Sequence, residues 1–207
     1  LLLVGIDSPG AAALLPRALS RVETFGLSDG ATWQAFDVVA AQGLTRFRVR
    51  RAGELFGDFA IPMAGVYNVR NALAAMAVAT EVGIDRATIA EGLTQFAGVK
   101  RRLEVVGEAG GVTVFDDFAH HPTAVAETLA GVRAAHPDAR IWAVFEPRSA
   151  SSCRRVFQDD FARAFVAADR VVLAPVFRAT LPEAERLSIP ALVTELGRQG
   201  IEAREAA

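Results

Sequence analysis

Two rhythms of hydrophobic and polar positions run along this chain, and one gives way to the other near residue 98. The first begins with the apolar run LLLVGI, which predicts a buried strand, followed by PGAAALLPRAL, which predicts a helix with a proline near its start. Four β-rich runs come next: RVETFGL, TWQAFDVVAA, LTRFRVRR and LFGDFAIP. Ser28-Asp29-Gly30, Gln42-Gly43 and Ala52-Gly53-Glu54 separate them, and this turn chemistry predicts consecutive hairpins. In the third run Thr45, Phe47 and Val49 alternate with Arg46, Arg48 and Arg50, so one face of that strand is wet. YNVRNALAAMAVATEVG and DRATIAEGLTQFAG then predict two helices, closed by Gly83 and Gly98.

Beyond Gly98 strands and helices take turns. LEVVGEAGGVTVFDD predicts a hairpin turning at Gly110-Gly111. HPTAVAETLAGVRAAH predicts a helix with Pro122 in its first turn and Val125, Leu129 and Val132 on one face. RIWAVFEP and RVVLAPVF predict strands. SSCRRVFQDDFARAFVAAD, where Phe157, Phe161 and Phe165 recur every four residues, predicts a helix, as does SIPALVTELGRQG. Alternation of this kind predicts a parallel, doubly wound sheet. The expected fold class is α/β, with a Rossmann-like doubly wound domain over 99–207 and an α/β segment with antiparallel hairpins over 1–98. GVKRRLE forms the crossing between them.

Composition narrows the function. The 207 residues, 52% of them apolar, suffice for a real core and suit one large or two modest domains. No apolar run approaches the ~20 residues of a membrane span. A net charge of −2 with scattered basic residues argues against a nucleic-acid surface. A single cysteine, Cys153, excludes an internal disulfide framework and favours a reducing compartment, and no basic n-region followed by a cleavage site suggests export. A cytoplasmic protein without nucleic-acid or membrane partners is expected. Lys100 is the only lysine, so chemistry that needs a second one must come from outside this stretch. The chain starts inside an apolar run without Met, and the expectation is a piece of a longer protein, incomplete at its end.

In an open parallel sheet, ligands bind beyond the carboxyl ends of the strands. Two strands there end in polar text: Asp116-Asp117-Phe118-Ala119-His120-His121 and Glu146-Pro147-Arg148-Ser149. Both loops are expected on one rim. The first could be a metal site, yet adjacent histidines point their rings apart and no HxxxH or CxxC accompanies them. It could cap the following helix with an Asp, or it could form the polar lip of a ligand pocket. On the helix before the crossing, Asn68 and Asn71 share a face at i, i+3. Asn68 suits an N-cap. Asn71 lies deeper, and its amide offers the donor and acceptor that an adenine edge requires. Arg101 and Arg102 at the crossing suit bound phosphate.

Together GVYNVRNALAAMAVA, GVKRRLE, DDFAHHPTAV and EPRS resemble the bacterial Mur ligase family, over nearly the whole chain and in order. The resemblance implies that 1–98 is the later part of the family's central ATPase-type domain and that 99–207 is most of its C-terminal domain. It implies ATP-dependent amide synthesis through an acyl phosphate. Asn68, Asn71, Arg101, Arg102 and Asp117 would contact the nucleotide, and His120, His121, Arg148 and Ser149 the incoming amine. Tyr67 stands where the family's segment more usually has His. EPRS points to the murein peptide ligase branch, which joins recycled L-alanyl-γ-D-glutamyl-meso-diaminopimelate to UDP-N-acetylmuramate; the branch that adds L-alanine is the alternative. A metal-dependent hydrolase using Asp116, Asp117, His120 and His121 is the reading from another class. No GxxxxGK[ST] phosphate cradle occurs. The cradle, the Mg²⁺ ligands and the catalytic groups are therefore expected upstream, leaving this stretch inactive by itself.

Overall fold

The opening apolar run forms strand β1 (Leu2–Gly5) in a computed structural model that describes residues 1–41, 43–177 and 180–206. The described chain divides into two units, Leu1–Gly98 and Val99–Ala207.

In the first unit β1 joins β2 (Val22–Gly26), β3 (Trp33–Ala41), β4 (Leu44–Arg51) and β5 (Glu54–Ile61) in one sheet of that order. β3, β4 and β5 pair antiparallel, as expected. Between β4 and β5 the chain turns at Ala52 (φ 49°) and Gly53 (φ 87°), both left-handed as a type I′ turn requires. Gln42, assigned to the preceding turn, lies outside the described residues. The expected hairpin at Ser28-Asp29-Gly30 is absent, because β2 and β3 run parallel, with Phe25 opposite Trp33. Side chains impose this return. Thr24 and Thr32 exchange backbone-to-hydroxyl hydrogen bonds at 3.1 and 2.8 Å, and Asp7 grips the amides of Leu27 and Ser28.

The wet-face alternation on β4 holds: Thr45, Phe47 and Val49 are buried while Arg46 and Arg48 are exposed. Buried Thr45 is satisfied by donating to the Met63 carbonyl at 2.7 Å. The expected helix over 9–19 shrinks to α1 (Pro9–Ala12) and a 3₁₀ turn over Leu15–Arg17. Pro16 has no amide to continue an α-helical ladder. α2 (Val66–Glu81) and α3 (Arg86–Gln95) complete the unit. Val69, Leu73 and Met76 of α2 pack onto Trp33, Phe47 and Phe59 of the sheet. α3, capped by Asp85, stops at Gln95 instead of at Gly98, because Phe96 has already turned to extended backbone.

The second unit opens with a hairpin, β6 (Glu104–Ala109) and β7 (Val112–Asp116), turning at Gly110-Gly111. Then come α4 (Pro122–Ala135), β8 (Trp142–Phe145), α5 (Gln158–Ala164), β9 (Arg170–Leu173), α6 (Ile189–Arg198) and β10 (Glu202–Glu205). β8, β9 and β10 form a parallel sheet in the order β10-β9-β8, with a helix at each crossover, in keeping with the Rossmann-like expectation. Among the described residues β7 is hydrogen-bonded to β6 alone and stands outside the parallel sheet. Helix α5 is shorter than 151–169. Ser149 and Ser152 bond to each other and the Cys153 thiol reaches the Pro147 carbonyl, which holds 149–153 in a turn.

Phe161, Phe165, Leu192 and Leu196 lie fully inside the core of this unit, with Val125 and Leu129 of α4 and Phe145 of β8. Each such side chain contributes about 1.5–3 kcal/mol. Among the described residues no helix is long and apolar enough to cross a membrane.

Candidate functional site

The first-unit candidates sit where α2 begins. Gly65 enters the helix at φ 92°, and a Cβ there would stand 2.5 Å from Cε1 of Tyr67. Only glycine lets the chain turn so close to that ring. Asn68 follows in the first turn, 8% exposed, its Nδ2 donating to the Ala64 carbonyl at 2.7 Å. Asn68 is thus neither the N-cap, which is Gly65, nor a displayed amide. The side of α2 that packs on the sheet takes it inside. Asn71, one turn on, is exposed.

Asp7 joins them, a residue the sequence reading passed over. Its Oδ1 accepts from the Ser28 amide at 3.0 Å and the Ser28 hydroxyl at 2.7 Å. Its Oδ2 accepts from the Leu27 amide and from Nε of Arg70, each at 2.9 Å. Burial pushes this carboxyl up, but the bonds from Leu27, Ser28 and Arg70 outweigh it and bring it down to about 2. The group is therefore ionised at neutral pH.

In the second unit the 101–103 crossing and the 116–121 loop are laced together. Arg101 and Leu103 both take left-handed backbone (φ 58° and 50°). The carbonyl of Arg101 accepts from Phe118 N at 2.8 Å, and its guanidinium meets Asp116 at 3.1 Å and the face of Phe118. Asp117 is the brace. Its Oδ2 accepts from Leu103 N and its Oδ1 from Ala119 N, both at 2.8 Å, and Thr128 donates to Oδ1 at 3.3 Å. Between these anchored residues Arg102 is exposed, with no ion pair among the described residues.

The capping expectation assigned the start of α4 to an aspartate, but the cap is His121, whose Nδ1 accepts from Thr123 N at 3.4 Å. Asp117 is occupied in tying two loops, so the helix takes the next acceptor along. The two histidine rings diverge: His120 turns onto Phe118, with Nδ1 2.9 Å from the Phe118 carbonyl, and His121 packs edge-on to Phe157. No three His, Cys, Asp or Glu side chains among the described residues are arranged to hold a metal ion.

After β8, Arg148 is exposed, its guanidinium 4.5 Å above the Phe177 ring and 4.0 Å from Glu146. The Phe177 amide donates to the Pro147 carbonyl at 3.0 Å, which binds the loops after β8 and β9 together. Ser149 is half-buried, and its hydroxyl bonds to that of buried Ser152 at 2.9 Å. That hydroxyl shapes the turn.

Comparison with known proteins gives two family matches: the Mur ligase middle domain over residues 2–79, and the Mur ligase glutamate ligase domain over residues 101–206. UDP-N-acetylmuramate--L-alanine ligase of Desulforapulum autotrophicum is 42% identical over 84% of this chain and 38% of its own length. Among solved structures, UDP-N-acetylmuramate-alanine ligase MurC of Thermotoga maritima superposes at TM-score 0.73 and 25% identity, covering 89% of this chain and 39% of that one. A murein peptide ligase of Psychrobacter arcticus superposes at TM-score 0.63 and 27% identity, covering 99% of this chain and 42% of that one. This chain therefore spans about two fifths of the length of the relatives it matches.

Proposed function

The chain belongs to the Mur ligase family, and from that premise we propose that the full-length protein is an ATP-dependent ligase closing an amide bond on UDP-N-acetylmuramate. A muramyl carboxylate oxygen attacks the γ-phosphorus of ATP, and ADP leaves an acyl phosphate behind. The acceptor amine attacks the acyl carbon, loses a proton, and phosphate departs. Positioning and cancellation of phosphate charge carry most of such a reaction. In this assignment exposed Asn71 reads the adenine edge, Arg102 meets phosphate, and Asp117 keeps acceptor capacity at Oδ2 for a ribose hydroxyl. Arg101 and buried Asn68 hold the crossing loop and the start of α2 in shape. His120, His121, Arg148 and Ser149 belong to the acceptor side.

Magnesium accompanies ATP in this chemistry, yet the described residues do not fit as its ligands. Among the described residues no three His, Cys, Asp or Glu side chains come together, so neither Asp7 nor Asp117 has the partner acids a cation site needs.

L-Alanine is the acceptor we infer first. The observation that carries it is the 42% identity to a ligase of that name. A second reading, the L-alanyl-γ-D-glutamyl-meso-diaminopimelate tripeptide, is favoured by Glu146-Pro147-Arg148-Ser149, where an exposed guanidinium stands ready for a carboxylate-rich substrate.

Measuring kcat/KM for both acceptors with full-length protein, wild type and Arg148→Lys, separates them. The first reading expects L-alanine to be preferred at least tenfold. A tripeptide preference, lost by roughly 10- to 100-fold in Arg148→Lys, the range for a charged hydrogen bond, would transfer the assignment to the peptide. Use of neither acceptor would sink the ligase reading altogether.

A further inference from the structure

Asp7 follows β1 directly, and Leu27 and Ser28 follow β2, which pairs with β1 in parallel from Leu2 opposite Val22 to Gly5 opposite Phe25. Both loops thus leave the same carboxyl-end rim, where parallel sheets hold their ligands. The carboxylate bridges them and also takes Nε of Arg70, the residue beside Asn71 on α2. Gly26 is shaped to this contact, since a Cβ there would stand 2.6 Å from Oδ1 of Asp7. The loop is held from its other side too, because Gln34 donates to Asp29 at 2.8 Å. A carboxylate that accepts from so many protein donors has little left for a metal or a substrate. Its effect must travel through what it holds.

We propose that Asp7 is a positioning residue for the nucleotide: through Arg70 and the 27–28 loop it fixes the turn of α2 from which Asn71 reaches the adenine edge. This rests on the ligase reading above. An amide in place of the carboxylate keeps the shape but must turn an NH₂ toward either Ser28 or Arg70, so one of the ties is lost.

The test uses full-length protein and steady-state kinetics, with ATP varied at saturating muramyl substrate and acceptor. Asp7→Asn is expected to raise KM for ATP about tenfold while kcat stays within twofold. In an Arg70→Met background the same substitution should add less than twofold, because the linkage is already cut. Should Asp7→Asn not fold, Ser28→Ala removes one donor only, and a two- to fivefold rise in KM for ATP is expected. A thermal shift without any change in KM, while Asn71→Ala raises it, would leave Asp7 with a structural role alone and overturn the proposal. A wild type that consumes no ATP with its substrates would remove the ligase reading, and this inference with it.

Discussion

An ion held by as many donors as Asp7 leaves a signature in the pH dependence of stability. Its folded pKa, about 2, lies below the ordinary 3.8. Its contribution is therefore present above the unfolded value and is lost as pH falls through the folded one. A shift of this size is worth about 2 kcal/mol. Asp7→Asn should cost about that much at pH 7, and less than half of it at pH 2.5, by denaturant titration at both values. An equal cost at the two would mean that the charge of Asp7 contributes nothing. The residue was also the one the sequence hid. Polar text behind a strand drew attention to 116–121 and 146–149, and Asp7 behind LLLVGI carries the same signal. A single acid before Ser8-Pro9 reads as a helix start, and Ser8 does cap α1. Asn68 and Asn71 show the opposite limit. Their spacing was legible, but which of the two the sheet covers depends on packing across the unit, which spacing does not encode.

Elements followed the apolar spacing in α2, α4 and α6, although the caps of α2 and α4 fell on other residues than expected. They departed where a few side-chain bonds overruled propensity. Turn residues at 28–30 specify a turn but not the direction of the strand that follows. Thr24, Thr32 and Asp7 choose a parallel return, and pairs of that kind emerge only once the chain has folded. In α5 the Phe157, Phe161 and Phe165 rhythm was real and feeds one core, while the Ser149–Ser152 turn shortens the helix beneath it. The start of α2 gives the sharpest prediction at this scale. Gly65→Ala sets a Cβ against the Tyr67 ring in left-handed backbone, and should lower stability by about 1–3 kcal/mol. Equilibrium unfolding of the 207-residue chain measures it. No loss would mean that the ring moves aside freely and that Gly65 is dispensable to the helix start.

At the scale of the whole molecule, the family was legible because its motifs are spread over 65–149 in order, and matches to two domain models agree. The acceptor was not, because it hangs on one loop. Glu146-Pro147-Arg148-Ser149 spoke for the tripeptide, and overall similarity gives L-alanine the first claim. In the proposed reaction both acceptors require the same activation of the muramyl carboxylate. The direct measurement labels the muramyl carboxylate of UDP-N-acetylmuramate with ¹⁸O and follows inorganic phosphate by mass spectrometry while full-length protein makes amide. An acyl phosphate passes one carboxylate oxygen to each phosphate released, so doubly labelled substrate should yield one ¹⁸O per phosphate. Amide formed with unlabelled phosphate would contradict it.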